Sequence, residues 1–120
     1  MREFAVTLEE WPEAYVARVY GQIDLATAGR LQAALQAALS AMRTPLVVDL
    51  SPVTYLDSAA ITALLAVRRS AFRRGCPVLL VTGTAFPRKV LGLMHLERLL
   101  PLHDTLPEAL GSLAGPQPVS

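Results

Sequence analysis

Cysteine is almost missing from this chain. Cys76 is the only one among 120 residues, so neither an internal disulfide nor a cysteine-based metal cluster can form. Beside the apolar run Val78-Leu79-Leu80-Val81 it reads as a small buried hydrophobe. Histidine is scarce too, and the wide spacing of His95 and His103 offers no credible set of metal ligands. Lys89 is the only lysine, and neither Gly-x-Gly-x-x-Gly nor Gly-x-x-x-x-Gly-Lys-Ser/Thr occurs, which removes both common phosphate cradles and with them the case for a nucleotide cofactor. A net charge of +1 gives no electrostatic reason to expect direct nucleic-acid binding or an acidic membrane as the main partner. No uncharged stretch approaches the roughly 18 to 20 apolar residues that span a bilayer. The charge-punctuated residues Met1 to Glu10 contain no signal-peptide core. A cytoplasmic protein without a membrane span is expected.

Apolar residues are abundant, at 52% against 18% charged, which places the chain among folded globular proteins of one domain. Phe4, Val6 and Leu8 alternate with polar or small residues as a half-buried strand does. Trp11-Pro12-Glu13 interrupts, and Tyr15 to Tyr20 resumes β-rich composition, closed by Gly21-Gln22-Ile23-Asp24; the two strands predict a hairpin. From Thr27 to about Met42, Leu31, Leu35, Leu39 and Met42 recur at helical spacing, with Ala34 and Ala38 filling the stripe. Pro45 ends that helix, and Leu46 to Leu50 reads as a strand buried on both faces, the mark of a parallel sheet.

A polar, Pro-containing turn follows, and a second helix is predicted from Ser58 to about Arg74, with Ile61, Leu64, Leu65 and Phe72 inward and Gly75 as its stop. Its Arg68, Arg69, Arg73 and Arg74 read as a solvated face that complements the helix dipole. Pro77 to Val81 is a further buried strand, Thr82-Gly83-Thr84 a turn, and Phe86 to Met94 a short helix. Leu99 to Leu102 suits an edge strand, where proline is tolerated. Asp104 or Thr105 then caps a last helix to about Leu113. The expected organisation is one α/β domain over residues 1–113 and a frayed tail over 114–120. Its sheet is mixed and mostly parallel, with an N-terminal β-hairpin and about four helices.

Chemistry concentrates at Asp57-Ser58, where a strand, a turn and a helix meet. Serine is among the best helix N-caps, so a plain structural cap is one reading of Ser58. The same position suits a phosphate, because an anion there meets the positive end of the helix. Ser58 with Asp49 or Asp57 and either histidine supplies the residue types of a hydrolytic triad. The nucleophile elbow Gly-x-Ser-x-Gly is absent, however, since Leu56 and Ala60 flank the serine; no enzymatic activity is expected.

Two segments carry a resemblance. Gly21-Gln22-Ile23-Asp24 resembles the Gly-Glu-Ile/Leu-Asp signature of STAS domains, and Val48-Asp49-Leu50-Ser51-Pro52-Val53-Thr54-Tyr55-Leu56-Asp57-Ser58 resembles their second, more specific one. The best-known single-domain members are bacterial anti-sigma factor antagonists, and the likeness in element order extends over essentially the whole chain. It implies a phosphoprotein of transcription regulation: Ser58 as phosphoacceptor, an anti-sigma factor with serine kinase activity as partner, and a PP2C-type phosphatase restoring the unphosphorylated form. It implies Asp24, Asp57, Ser58, Ala59, Ala60 and Thr62 as the partner-binding residues. The alternative within the family is a scaffold subunit of another complex, a lipid-transport ATPase or a stress-signalling assembly, with no serine switch. The family's Ser/Thr-Gly after the serine is Ala59-Ala60 here, and the added methyl at Ala60 could stand in the way of a close approach by a kinase. Apolar surface near the N-terminal hairpin could support a weak homodimer.

Overall fold

The computed structural model describes residues 3–41, 44–83 and 85–113. Met42, Thr84 and the 114–120 tail of the sequence reading lie outside them. Strand β1 (Ala5–Glu10) runs antiparallel to β2 (Tyr15–Ile23), with Ala5 opposite Tyr20 and Glu10 opposite Tyr15, which is the predicted hairpin. Helix α1 (Ala28–Ala41) leads to β3 (Leu46–Asp49) and β4 (Val53–Leu56); α2 (Ser58–Arg73) leads to β5 (Val78–Val81). Helix α3 (Phe86–Leu93), a 3₁₀ turn at Leu96–Arg98, the two-residue strand β6 (Leu102–His103) and α4 (Leu106–Leu113) complete the described chain. The strand order is β1-β2-β3-β5-β6, parallel except for the hairpin, with β4 paired to β2 alone.

Alternation along the strands assigns the two faces. Ala17, Val19, Leu46, Val48, Leu50, Val78 and Leu80 pack toward α1 and α2, whereas Val16, Val47, Leu79 and Val81 meet Ala109 and Leu110 of α4. Strand β3 is buried at all four positions and β5 likewise, which is why their sequences are apolar runs broken only by Asp49 at the end of β3. Helices α1 and α2 lie side by side, and Gln36 Nε2 donates to Ser70 Oγ between them at 2.9 Å.

Strand β4 is not among the expected elements; it lies within the polar, Pro-containing turn expected between Leu50 and Ser58. Only Val53 and Leu56 of its four residues are buried, so no two-residue alternation betrays it. It pairs with the second half of β2, from Gly21 to Ile23, beyond the point where β3 stops at Arg18. The ladder shifts between Gly21 and Gln22, and Gly21 takes φ 88°, a value that costs glycine nothing. The glycine of the first signature therefore lets one strand serve two successive neighbours.

Several placements differ from expectation. Phe72 is 78% exposed, whereas Leu64 is buried as expected and Ile61 and Leu65 pack half-buried against the core; Ala60, Ala63, Val67 and Ala71 complete the inward face of α2. Cys76 is half-buried at the margin of the core rather than enclosed. Arg68 and Arg74 are not simply solvated: they donate to the carbonyls of Leu99 and Leu39, each at 2.7 Å. The edge strand begins only at Leu102, because Leu99 and Leu100 close the 3₁₀ turn by bonding back to Leu96 O. Of the two predicted caps for α4, Thr105 serves, its Oγ accepting from Glu108 N at 3.2 Å.

Candidate functional site

The end of β4 delivers Asp57 and Ser58 to the C-terminal edge of the sheet, beside the loop that leaves β2. The residue that caps α2 is Asp57, not Ser58. Its backbone is extended, its Oδ1 accepts from Ala59 N at 2.9 Å, and its carbonyl accepts from Ala60 N at 3.0 Å. Carboxylate is the better cap here because it satisfies a first-turn N–H and places negative charge at the positive end of the helix. Tyr55 Oη donates to the other carboxylate oxygen at 3.4 Å. Ser58 becomes the first residue within α2; it is exposed, and its hydroxyl has no hydrogen-bond partner among the described residues. The cap reading of Ser58 is thereby replaced by that of a free hydroxyl held on a rigid backbone.

Asp24 plays the corresponding part on the β2–α1 loop. Its Oδ1 accepts from Ala26 N at 2.9 Å and Thr27 N at 3.2 Å, while its carbonyl accepts from Ala28 N at 2.8 Å. Thr27 Oγ1 donates to Gln22 O at 2.8 Å and accepts from Asp24 N at 3.0 Å, closing the turn. The acid of the first signature therefore builds the loop that starts α1.

Between the two loops lies a groove of about 400 Å³ lined by Leu25, Ala28, Gly29 and Gln32 on one side and by Ser58, Ala59, Thr62 and Ala63 on the other. None of these side chains is charged; Asp24 and Asp57 each immediately precede one of them, Leu25 and Ser58. Ser58, Ala59 and Thr62 of the sequence reading thus meet in one surface, and Thr62 Oγ1 bonds back to Ser58 O at 3.1 Å. Ala60 does not belong to it. It is 0% exposed, so its methyl points into the core and obstructs nothing outside. The sequence reading missed Leu25, an apolar side chain 88% exposed directly after the Gly-Gln-Ile-Asp signature. Its signal was an apolar residue in a loop with no periodic stripe to explain it.

The hydrolytic alternative finds no support at Ser58. His95 sits in the left-handed region at φ 57°, exposed beside Glu97. His103 lies in β6, with Nδ1 3.3 Å from Glu108 Oε1 and Nε2 3.5 Å from Ser112 Oγ. Those three residue types match a triad, but Ser112 Oγ donates to Ala109 O at 2.7 Å, so its proton is not directed to the imidazole. Among the described residues no cluster of His, Cys, Asp or Glu could hold a metal ion, and no helix is long and apolar enough to cross a membrane.

Comparison with known proteins gives a consistent family. The family model described as Mlab, STAS domain, matches residues 6–101. The anti-sigma-F factor antagonist RsfB of Mycobacterium tuberculosis is 30% identical over 110 residues, covering 92% of this chain and 89% of that protein. Among solved structures, an anti-sigma factor antagonist from Mycobacterium paratuberculosis superposes with a TM-score of 0.84 at 27% identity, covering 93% of this chain and 95% of that one. SpoIIAA of Bacillus, solved in its phosphorylated form, shares the fold at a TM-score of 0.66 and 20% identity, covering 91% and 99%. The chain belongs to the STAS domain family.

Proposed function

We propose that this protein is an anti-sigma factor antagonist that docks an anti-sigma factor with serine kinase activity and is switched off by phosphorylation of Ser58. The observation that carries the reading is the exposed, unpartnered Ser58 hydroxyl at the rim of an uncharged groove, on the first turn of a helix already capped by its neighbour. The similarity to RsfB supports the same class of role. In the proposed cycle the partner's base takes the Ser58 proton, Oγ attacks the γ-phosphorus of ATP, and ADP leaves.

The product carries about −1.5 to −2 charges beside the Asp57 carboxylate. Asp57 already occupies the Ala59 N–H, so the phosphate is not simply absorbed by the helix end. It either displaces the cap or stands outside it, and in both cases a neutral docking rim becomes strongly anionic. Asp24 and Asp57 hold the two loops, Leu25, Ala59 and Thr62 supply contact surface, and Ala60 acts only through packing. A PP2C-type phosphatase returns the hydroxyl. The protein serves as substrate and binding partner, in a soluble cytoplasmic pathway.

The test is calorimetric titration of the anti-sigma factor with wild type, Ser58→Ala and Ser58→Asp, alongside phosphopeptide mass spectrometry after incubation with that partner and ATP. Ser58→Ala should bind as wild type and resist labelling, and Ser58→Asp should bind at least tenfold more weakly. Equal binding by Ala and Asp variants overturns the switch and favours a scaffold role in a different complex.

A further inference from the structure

We propose that the outer edge of β1 pairs with the same edge of a second copy, joining two sheets across a two-fold axis. The edge strands of this sheet are unequal. At one end, β6 is two residues long and follows Pro101, which protects it. At the other, Ala5–Glu10 is a regular six-residue strand with no proline, lysine, glycine or bulge, and its outer side meets no other strand among the described residues. Such an edge offers unpaired backbone N–H and C=O groups to any chain that can match it.

The side chains select the occupant and the register. Val6 lies opposite Val19, a residue of the core beneath α1 and α2, so Val6, Leu8 and Glu10 share the helix-covered face while Ala5, Thr7 and Glu9 share the other. A two-fold axis normal to the sheet keeps faces matched only when it passes through a residue pair. Centred on Val6, the pairing sets Glu3 against Glu9, two like charges. Centred on Leu8, it sets Val6 against Glu10. Centred on Thr7, it sets Val6 against Leu8 of the other copy twice over, and Glu10 against Phe4.

That last pairing is complementary. Leu8 is 42% exposed in the single chain, and the Arg30 guanidinium lies over the Phe4 ring at 5.0 Å, where the other copy's Glu10 arrives. In this register Glu9 faces Ala5 of the other copy, on the opposite face from Glu10, so no carboxylate is set against another. Ser58 follows β4, which lies across β2 from β1, so pairing here leaves the docking groove open.

Sedimentation equilibrium of the full chain, without any partner, tests this independently of the antagonist reading. The small contact area places the monomer–dimer midpoint on the order of 10 µM to 1 mM. Leu8→Lys, a substitution at a half-exposed site, should weaken association at least tenfold, and so should Glu10→Arg and Arg30→Glu singly. The double variant Glu10→Arg with Arg30→Glu should recover to within threefold of wild type, with circular dichroism confirming that each variant is folded. A chain that stays monomeric to about 1 mM, an unaffected Leu8→Lys, or a double variant no better than its parents each overturns the proposal.

Discussion

Asp57→Ala separates the two functions that meet at the start of α2. The substitution removes the acceptor 2.9 Å from Ala59 N and the charge at the positive end of a sixteen-residue helix. Loss of such a cap costs about 1 kcal/mol, within a range of about 0.5 to 2. Loss of the charge–dipole interaction adds about 0.3 to 1 kcal/mol. The Tyr55 contact at 3.4 Å is too long and exposed to add much. The expected total is about 1 to 2 kcal/mol, a drop of roughly 4 to 10 °C in melting temperature for a domain of this size. Asp57→Asn keeps an acceptor and loses only the charge, so it should recover more than half of that loss. Ser58→Ala removes a hydroxyl without a partner and should lie within about 0.5 kcal/mol of wild type. Urea unfolding followed by circular dichroism at 25 °C reads all three. If Ser58→Ala costs more than Asp57→Ala, the capping assignment is wrong and the free-hydroxyl argument falls with it.

Two further outcomes follow from the same geometry. Leu25→Asp should leave stability within about 0.5 kcal/mol, because the side chain is 88% exposed, while weakening anti-sigma factor binding roughly tenfold by calorimetry; unchanged binding would remove the β2–α1 loop from the docking surface. Ala60→Gly should cost about 1.5 to 2 kcal/mol, combining helix propensity with a buried methyl, yet leave affinity of the folded protein within twofold; an affinity change beyond that would place residue 60 at the interface after all.

The fold was legible where burial is two-sided or strictly periodic. Leu46 to Leu50 and Val78 to Val81 announced parallel strands because every position is covered. The α1 stripe of Leu31, Leu35 and Leu39 did the same at helical spacing. The misses have one cause, which is that short elements and element ends take their form from tertiary contacts. Strand β4 exists because the second half of β2 offers it a neighbour, not because Val53-Thr54-Tyr55-Leu56 alternates. Phe72 lies seven residues after Leu65, a helical spacing that suits burial, but α2 packs closely through alanines, and in its last turn Ala71 takes the buried position while Phe72 beside it faces out.

The site was legible in outline and wrong in one assignment that matters. Both serine and aspartate are good caps, and a sequence cannot say which of two adjacent ones takes the extended conformation before the helix. The choice fell to Asp57 because β4 carries the chain in extended form through Leu56, leaving Asp57 to make the turn. A serine that capped the helix would have its oxygen bound to a first-turn N–H, and a kinase would have to break that bond before transfer. With the aspartate holding the helix, phosphorylation of the next residue need not dismantle α2. The change delivered to a partner is then one of charge at the groove, with the backbone held in place on either side of the reaction.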